Sequence, residues 1–402
     1  MDIALDIFNY VLSAIMAGIS ATWVLLIKSM WISFRDSPFL DRFEVTAHQK
    51  PKVSVILPAR NEEEFIEKCL NSLLEQDYDN YEIVAVDDRS EDKTGQIIRR
   101  LAKKNPKIIH VTADPKPENW TGKNWACFEG FKRSSGELLL FTDADTKHSK
   151  KTISLSVSHL LSNNLDALTV IPKMLCLDWW TKITLPMLST FLHTRFSALR
   201  VNDASKKTGY FFGSFFIIRR ETYEAVGTHE GVKGELVEDG ALGKKVKESG
   251  FRMRMVRGEH LLEAVWARDL PTLWNGLKRL VIPLYLQSRK IALGIFFAVL
   301  FLLFMPFPIL TYAVPFADSG ESFTVLSSIS VVSVTLLYIA AIVEAKKGLG
   351  LSLGHALLGP IGSFIIVAGF ACGILQAKSS AALMWRGRTY SMVNQLQNSI
   401  NV

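Results

Sequence analysis

The chain is poor in cysteine. Only Cys69, Cys127, Cys176 and Cys372 occur in 402 residues, far apart and without CxxC spacing, which argues against a disulfide framework and a zinc site. A reducing, cytosol-facing catalytic part fits that usage. No GxGxxG fingerprint and no GxxxxGK[ST] loop is present, so a dinucleotide oxidoreductase or P-loop ATPase would lack its central feature. No basic residue precedes the first apolar run, "IALDIFNYVLSAIMAGISATWVLLI" at 3–27, and the run is too long for a cleaved signal peptide.

What is abundant is apolar. A hydrophobic share of 49% and a mean hydropathy of +0.19 exceed what an ordinary soluble enzyme carries. The 3–27 run is long enough to span a bilayer core of ~30 Å at about 1.5 Å per residue. Further apolar segments follow a polar middle, at 291–317, 324–343 and 354–375. Lys28 and Arg35 after the first span, against Asp2 and Asp6 before it, put the middle in the cytoplasm by the positive-inside rule. The sequence "EAKKG" agrees, and "ADSGES" lies on the opposite side. Four simple crossings would leave the tail outside, whereas Lys378, Arg386 and Arg388 argue for inside. Gly359, Pro360 and Gly362 are therefore expected to break the last segment into a re-entrant hairpin.

The polar middle alternates strand and helix. "KVSVILPAR" reads as a buried strand, "EEEFIEKCLNSLLEQ" as an amphipathic helix, "YEIVAVDD" as a strand and "DKTGQIIRRLAKK" as a helix. "KIIHVTAD", a helix over about 123–134 and "ELLLFTDAD" continue the pattern of a parallel sheet with helices on both faces. Ligands bind beyond the carboxyl ends of such strands, where "PARNE", "VDDRS" and "FTDAD" all sit.

Three acidic pairs stand out in a chain whose Lys and Arg outnumber Asp and Glu 46 to 39. Asp143 and Asp145 are two apart, so extended backbone points both to one face, where they suit a hard divalent cation bridging a diphosphate. The competing reading is a solvated Asp-rich turn. Asp87 and Asp88 are pure acceptors suited to a ribose or a base N–H. Arg60, Arg89 and Lys123 supply positive charge for a diphosphate, with Trp120 and Trp125 placed to stack or simply to pack. Glu238 and Asp239 open a helix, either as ordinary dipole-stabilised acids or as a general base toward an acceptor hydroxyl. Residues 175–196 read as an interfacial helix on a bilayer, with a core helix of the soluble domain as the alternative.

Taken in order, "VSVILPARNEE", "VDDRSEDKTG", "FTDAD" and "VEDGALGKKVKESG" closely resemble family 2 glycosyltransferases with a GT-A fold, over about residues 50–260. "NWTGKNWAC" and "WRGRTY" resemble the membrane-bound branch associated with hopanoid and carotenoid glycosylation. The resemblance implies an α/β, Rossmann-like nucleotide-sugar domain between an N-terminal transmembrane helix and a C-terminal transmembrane bundle. The expected organisation is an anchor over 1–30, the GT-A domain over 50–260, an amphipathic connector over 261–290, the bundle over 291–375 and a basic cytosolic tail over 376–402.

The resemblance further implies roles. Asp88 binds the base or ribose, Asp143 contacts the nucleotide sugar, Asp145 with Asp143 ligates Mg²⁺ or Mn²⁺, and Asp239 is the catalytic base with Glu238 beside it. Pro58, Arg60 and Glu62 line the nucleotide pocket, Lys123 lies beside the donor, and "FFGSFF" with Gly213 borders the sugar and acceptor. The processive members' QxxRW motif is missing, and "LWNGLKRL" offers only Arg279 in a related place. Transfer of a single sugar is expected, with Arg386 and Arg388 returning to the diphosphate. The partners expected are a nucleotide-diphosphate sugar, a UDP-sugar first, and a membrane lipid acceptor, with no nucleic acid. The enzyme is expected at the cell membrane with its catalytic domain in the cytoplasm. Competing readings are a polyprenyl-phosphate or lipid-carboxylate sugar transferase, and a non-catalytic nucleotide-sugar-binding regulator.

Overall fold

In the computed structural model the β-branched run Val53–Ala59 forms strand β1, fully buried except for Pro58, and Tyr81–Asp87 forms β2, buried throughout. Strands shielded on both faces read as continuous apolar runs, as these do. The structure describes residues 3–45, 49–379, 382–385 and 388–391, and the elements below are those of the described residues.

Helix α1 is Ile3–Asp36. After β1 come α2 (Ile66–Leu74), β2, α3 (Thr94–Lys104), β3 (Ile108–Thr112), α4 (Gly122–Arg133) and β4 (Leu138–Phe141). Next are β5 (Thr146–His148), α5 (Thr152–Ser162), β6 (Ala167–Ile171) and β7 (Lys173–Cys176). Then follow α6 (Trp179–Phe196), α7 (Ala198–Asn202), β8 (Phe216–Arg219), α8 (Arg220–Ala225), α9 (Glu238–Glu248), β9 (Met253–Arg257) and β10 (Leu262–Ala267). The remainder is helical, α10 (Leu270–Gln287), α11 (Arg289–Val299), α12 (Pro306–Ala313), α13 (Glu321–Val343), α14 (Leu353–Leu357) and α15 (Gly359–Ser379), until a hairpin of β11 (Ala382–Trp385) and β12 (Arg388–Ser391).

Two compact units result. The sheet unit comprises 36–175, 198–266 and 382–402, and the helical unit 1–35, 176–197 and 267–381. In the sheet unit the strand order is β3-β2-β1-β4-β8-β6-β9. Neighbours β3, β2, β1 and β4 are parallel, and β8 runs against β4 and β6. Register sets Ala59 beside Asp87 and Asp87 beside Thr112, so the carboxyl ends of β1, β2 and β3 end level. Val55, Leu57, Ile83, Leu140 and Ile217 pack the core on one face of this sheet, and Ile56, Leu139, Phe141 and Phe216 that on the other. The expected α/β architecture is the one observed.

In the helical unit, hydrogen bonds fix α1 against α13. Asn9 Nδ2 donates to Ser322 Oγ at 3.2 Å, and Ser322 Oγ donates to Asp6 Oδ1 at 2.5 Å. Further along, Ser333 Oγ donates to Met16 O at 3.0 Å and lies 2.5 Å from Ser20 Oγ. Partners advance together along both helices, so the two run parallel. Among the described residues, Ile3–Asp36, Glu321–Gly348 and Gly359–Lys378 are long and apolar enough to cross a membrane.

The last apolar segment is interrupted at Leu358, between α14 and α15, next to the expected Gly359 and Pro360, and a second break lies upstream. Arg289–Phe304 and Pro306–Ser319 meet at a 45° bend, whereas Gly359–Ser379 is one helix. Pro306 opens its own helix after the bend, and Pro360 falls in the first turn of α15, where a missing N–H costs nothing. Helix α6 is buried along its middle, with Ile183, Met187 and Leu188 fully enclosed, while Trp179 and Trp180 at its start are exposed. Gly362 permits this packing: a Cβ there would lie 2.2 Å from the Ile183 carbonyl oxygen. Gly369 and Gly373 of α15 meet Leu277 and Val281 of α10 in the same way.

Candidate active site

The segment after β4 is held by residues that carry no charge. Thr142 Oγ1 donates to Ser214 O at 2.7 Å and lies 3.1 Å from His148 Nε2, while His148 N donates to Ser72 Oγ at 3.0 Å. Burial pushes the His148 imidazole down to about 3, so it serves this network neutral. These bonds tie the Asp143–Asp145 turn to the loop that carries Gly213. Asp143 and Asp145 are both half-buried, and Ala144 between them is buried.

Lys123 stands opposite, in the first turn of α4. Thr121 caps that helix by accepting from Asn124 N, and Asn124 Nδ2 donates to Val232 O at 2.6 Å and Glu235 O at 3.1 Å. The start of α4 is thereby fastened to the segment leading into α9. Lys123 Nζ contacts Asp143 Oδ1 at 2.7 Å and Glu238 Oε1 at 2.6 Å. Burial alone would depress its pKa, but Asp143, Glu238 and Asp239 hold the ammonium well above its ordinary value. Trp120 and Trp125 pack edge-to-face on each other, 5.1 Å between centroids, and onto Phe128.

Asp239 completes the group. Its Oδ2 accepts from Gly213 N at 2.8 Å and its Oδ1 from Gly240 N at 2.7 Å. Burial and then the neighbouring Glu238 charge push its carboxyl up to about 6, against the pull of Lys123 and the Gly240 amide. Glu238 is almost fully buried, at 5% exposure, and its contact with Lys123 leaves Asp239 as the more open carboxylate. Gly213 lies where these groups converge: a Cβ there would be 2.9 Å from Asp239 Oδ2, 2.9 Å from Lys123 Nζ and 3.3 Å from Asp143 Oδ2. Any other residue would fill that space.

A second cluster lies beyond β1 and β2. Asp88 donates its amide to Ala59 O at 2.8 Å and is 3% exposed. Arg388 of β12 meets its carboxylate with both terminal nitrogens, Nη2 donating to Oδ1 at 2.9 Å and Nη1 to Oδ2. Burial still pushes the Asp88 carboxyl up, ahead of the lowering by Arg388 and Arg60. Arg60 Nη1 donates to the Asp88 and Arg89 carbonyls at 2.8 and 2.6 Å, and Nη2 to Glu91 Oε1 at 2.8 Å. Pro58 is the next-to-last residue of β1, and buried Glu62 donates its amide to Thr94 Oγ1 at 2.7 Å. Asn61 and Arg89 at these strand ends have φ of 54° and 53°, a left-handed conformation uncommon for side-chain-bearing residues.

Lys123, Asp143, Gly213, Glu238 and Asp239 are thus brought together, and Arg60 joins Asp88. Arg388, expected at the diphosphate, holds the Asp88 carboxylate in this structure, since a guanidinium matches a buried carboxylate bidentately. Arg279 belongs to α10 of the helical unit, and Arg386 lies outside the described residues. Thr142 was missed; its only sequence signal is that it precedes Asp143. Among the described residues no group of three or more His, Cys, Asp or Glu side chains is arranged to hold a metal. Two carboxylates at one turn nevertheless suit Mg²⁺ or Mn²⁺, since Mg²⁺ commonly takes one or two protein carboxylates and completes its shell with phosphate oxygens and water.

Comparison with known proteins agrees with this architecture. The family described as glycosyl transferase family 2 matches residues 54–227. The chain is 29% identical over 213 residues to a 4,4'-diaponeurosporenoate glycosyltransferase of Staphylococcus haemolyticus, covering 52% of this chain and 54% of that protein. It is 28% identical over 251 residues to the probable glycosyltransferase YdaM of Bacillus subtilis, covering 59% and 58%. The matched region therefore spans little more than half the length of these relatives. Among solved structures, the mannosyltransferase PcManGT from Pyrobaculum calidifontis, in complex with GDP-Man and Mn²⁺, is similar in fold, with a TM-score of 0.53 and 18% identity over 92% of this chain and 99% of that one. The domain that carries these acidic pairs thus resembles the family 2 glycosyltransferases over residues 54–227, on a mixed α/β, GT-A-like fold.

Proposed function

We propose that the protein moves a single sugar from a nucleotide-diphosphate sugar to a hydroxyl of a membrane lipid, with inversion at the anomeric carbon. The observation that carries this reading is the convergence of Asp239, Lys123 and Asp143 around Gly213. The donor reads as a UDP-sugar. The fold relative's GDP-Man and Mn²⁺ support the diphosphate class and a divalent ion. The lipid acceptor draws support from the relative named for diaponeurosporenoate and from helices apolar enough to span a bilayer.

Asp88 accepts hydrogen bonds from the base or ribose, with Arg60 and Arg388 holding its backbone and carboxylate and Pro58 and Glu62 lining the pocket. Lys123 keeps Asp143 turned toward the sugar and neutralises Glu238, so Asp239 is left as the base. The acceptor oxygen attacks the anomeric carbon, its proton passes to an Asp239 carboxylate oxygen, and the bond to the diphosphate breaks with its electrons staying on the leaving group. The amides of Gly213 and Gly240 aim that carboxylate. Asp143 and Asp145 would hold Mg²⁺ or Mn²⁺, which when bound offsets the charge of the leaving diphosphate.

The test replaces basicity without changing shape. Asp239→Asn should lower the single-turnover transfer rate by about 10²–10⁴-fold at saturating donor while donor affinity changes little. The name of the Staphylococcus relative, an -oate, motivates the second reading, an acceptor that is already anionic. A rate within a few-fold of the unmodified enzyme would overturn the base assignment and put that reading first.

A further inference from the structure

A groove of about 550 Å³ in the helical unit, lined by Val24, Ile27, Lys28, Trp31, Ile32, Arg35, Leu336 and Ile339, contains none of the residues assigned to the transfer reaction. Its walls are α1 and the C-terminal half of α13. The α1 residues Lys28, Trp31, Ile32 and Arg35 are spaced 3, 4 and 7 apart, so they share one helix face. Its volume is that of a small-ligand site, typically ~300–1,000 Å³.

Charge is distributed unevenly along it. Because α1 and α13 run parallel in fixed register, their ends coincide: Asp6, Asp318 and Glu321 gather at one end, and Lys28, Arg35, Lys346 and Lys347 at the other. Lys347 Nζ lies 4.7 Å from the centroid of the Trp31 ring, which brings a cation from the second helix onto the groove. Lys28, Arg35 and Lys347 are all exposed. Isolated basic residues near membrane ends commonly extend to the interface without binding anything in particular. Here two helices converge their cations at one end of a single apolar trough.

We infer that this groove is a binding site for one anionic membrane phospholipid. Its phosphate head sits among Lys28, Arg35 and Lys347, and an acyl chain lies along Val24, Ile27, Leu336 and Ile339. Basic pockets between membrane helices recognise anionic headgroups through this combination of local positive charge and apolar wall. A zwitterionic lipid of equal chain length gains the apolar contact but not the net attraction.

The inference is independent of glycosyl transfer, so its failure would leave the proposed function untouched. Purified full-length protein in neutral detergent would be titrated with phosphatidylglycerol and, separately, phosphatidylcholine of the same chains, and bound lipid counted by native mass spectrometry. One phosphatidylglycerol should bind in clear preference. Each lost charge should weaken it about five-fold, so Lys28→Gln with Lys347→Gln costs roughly 25-fold and approaches the phosphatidylcholine level. Lys28→Arg with Lys347→Arg should retain it. Ile339→Trp, which fills the trough and leaves the charges, should weaken both lipids and serves if the Gln variant does not fold. Equal affinity for the two lipids, or phosphatidylglycerol binding unchanged by the Gln pair or by the Trp, would overturn the inference.

Discussion

Asp239 ties its environment to a pH profile. Burial and Glu238 raise its carboxyl to about 6, and a base works only when deprotonated. Transfer should therefore be full above that value and fall as the pH drops through about 6; a single-turnover rate that stays level from pH 5 to 8 would exclude Asp239 as the titrating group. Asp145→Ala, and chelation of the unmodified enzyme by EDTA, should each abolish turnover, the second reversibly with Mg²⁺ or Mn²⁺, and full activity in chelator would remove the metal from the reading. Asp88, Asp143 and Asp145 were legible in the sequence because they follow the apolar strands β2 and β4, and Asp239 because it opens a helix. Their fixings were not: the bond from Gly213 to Asp239 links residues 26 apart and that from Thr142 to Ser214 residues 72 apart, which leaves no local pattern.

Helices and strands were legible wherever apolar period and turn residues agreed. The helix expected over about 123–134 is Gly122–Arg133, and the strand "YEIVAVDD" is Tyr81–Asp87. Composition does not separate an apolar helix covered by protein from one that faces lipid, because lipid and protein ask for the same side chains. Helix α6 illustrates this, exposing its first two tryptophans and burying its middle. Its packing is testable: Gly362→Leu drives a side chain into the Ile183 carbonyl, and overpacking of this kind costs typically ~1–3 kcal/mol. Thermal unfolding in detergent should show a lowered midpoint, and an unchanged one would mean that α6 and α15 are not in close contact. The β11–β12 hairpin escaped the sequence reading, which saw only a basic tail. Arg388→Ala removes the guanidinium from a buried carboxylate, so amide exchange across Ala382–Ser391 should quicken and nucleotide affinity should change; slow exchange in the variant would show that other contacts hold the hairpin.

For the whole molecule, the order of apolar segments and alternating elements gave the architecture, but not how many segments cross a bilayer. The parallel run of α1 and α13 bears on that count. Two parallel helices that both span a bilayer cross it in the same direction, so a return passage has to lie between them, and the bent pair Arg289–Phe304 and Pro306–Ser319 is apolar enough to supply one. In cells expressing the protein with its native cysteines replaced, an impermeant maleimide should therefore reach Ser319→Cys from one face only and Lys346→Cys only from the other. Labelling of both from the same face would show that α13 does not cross.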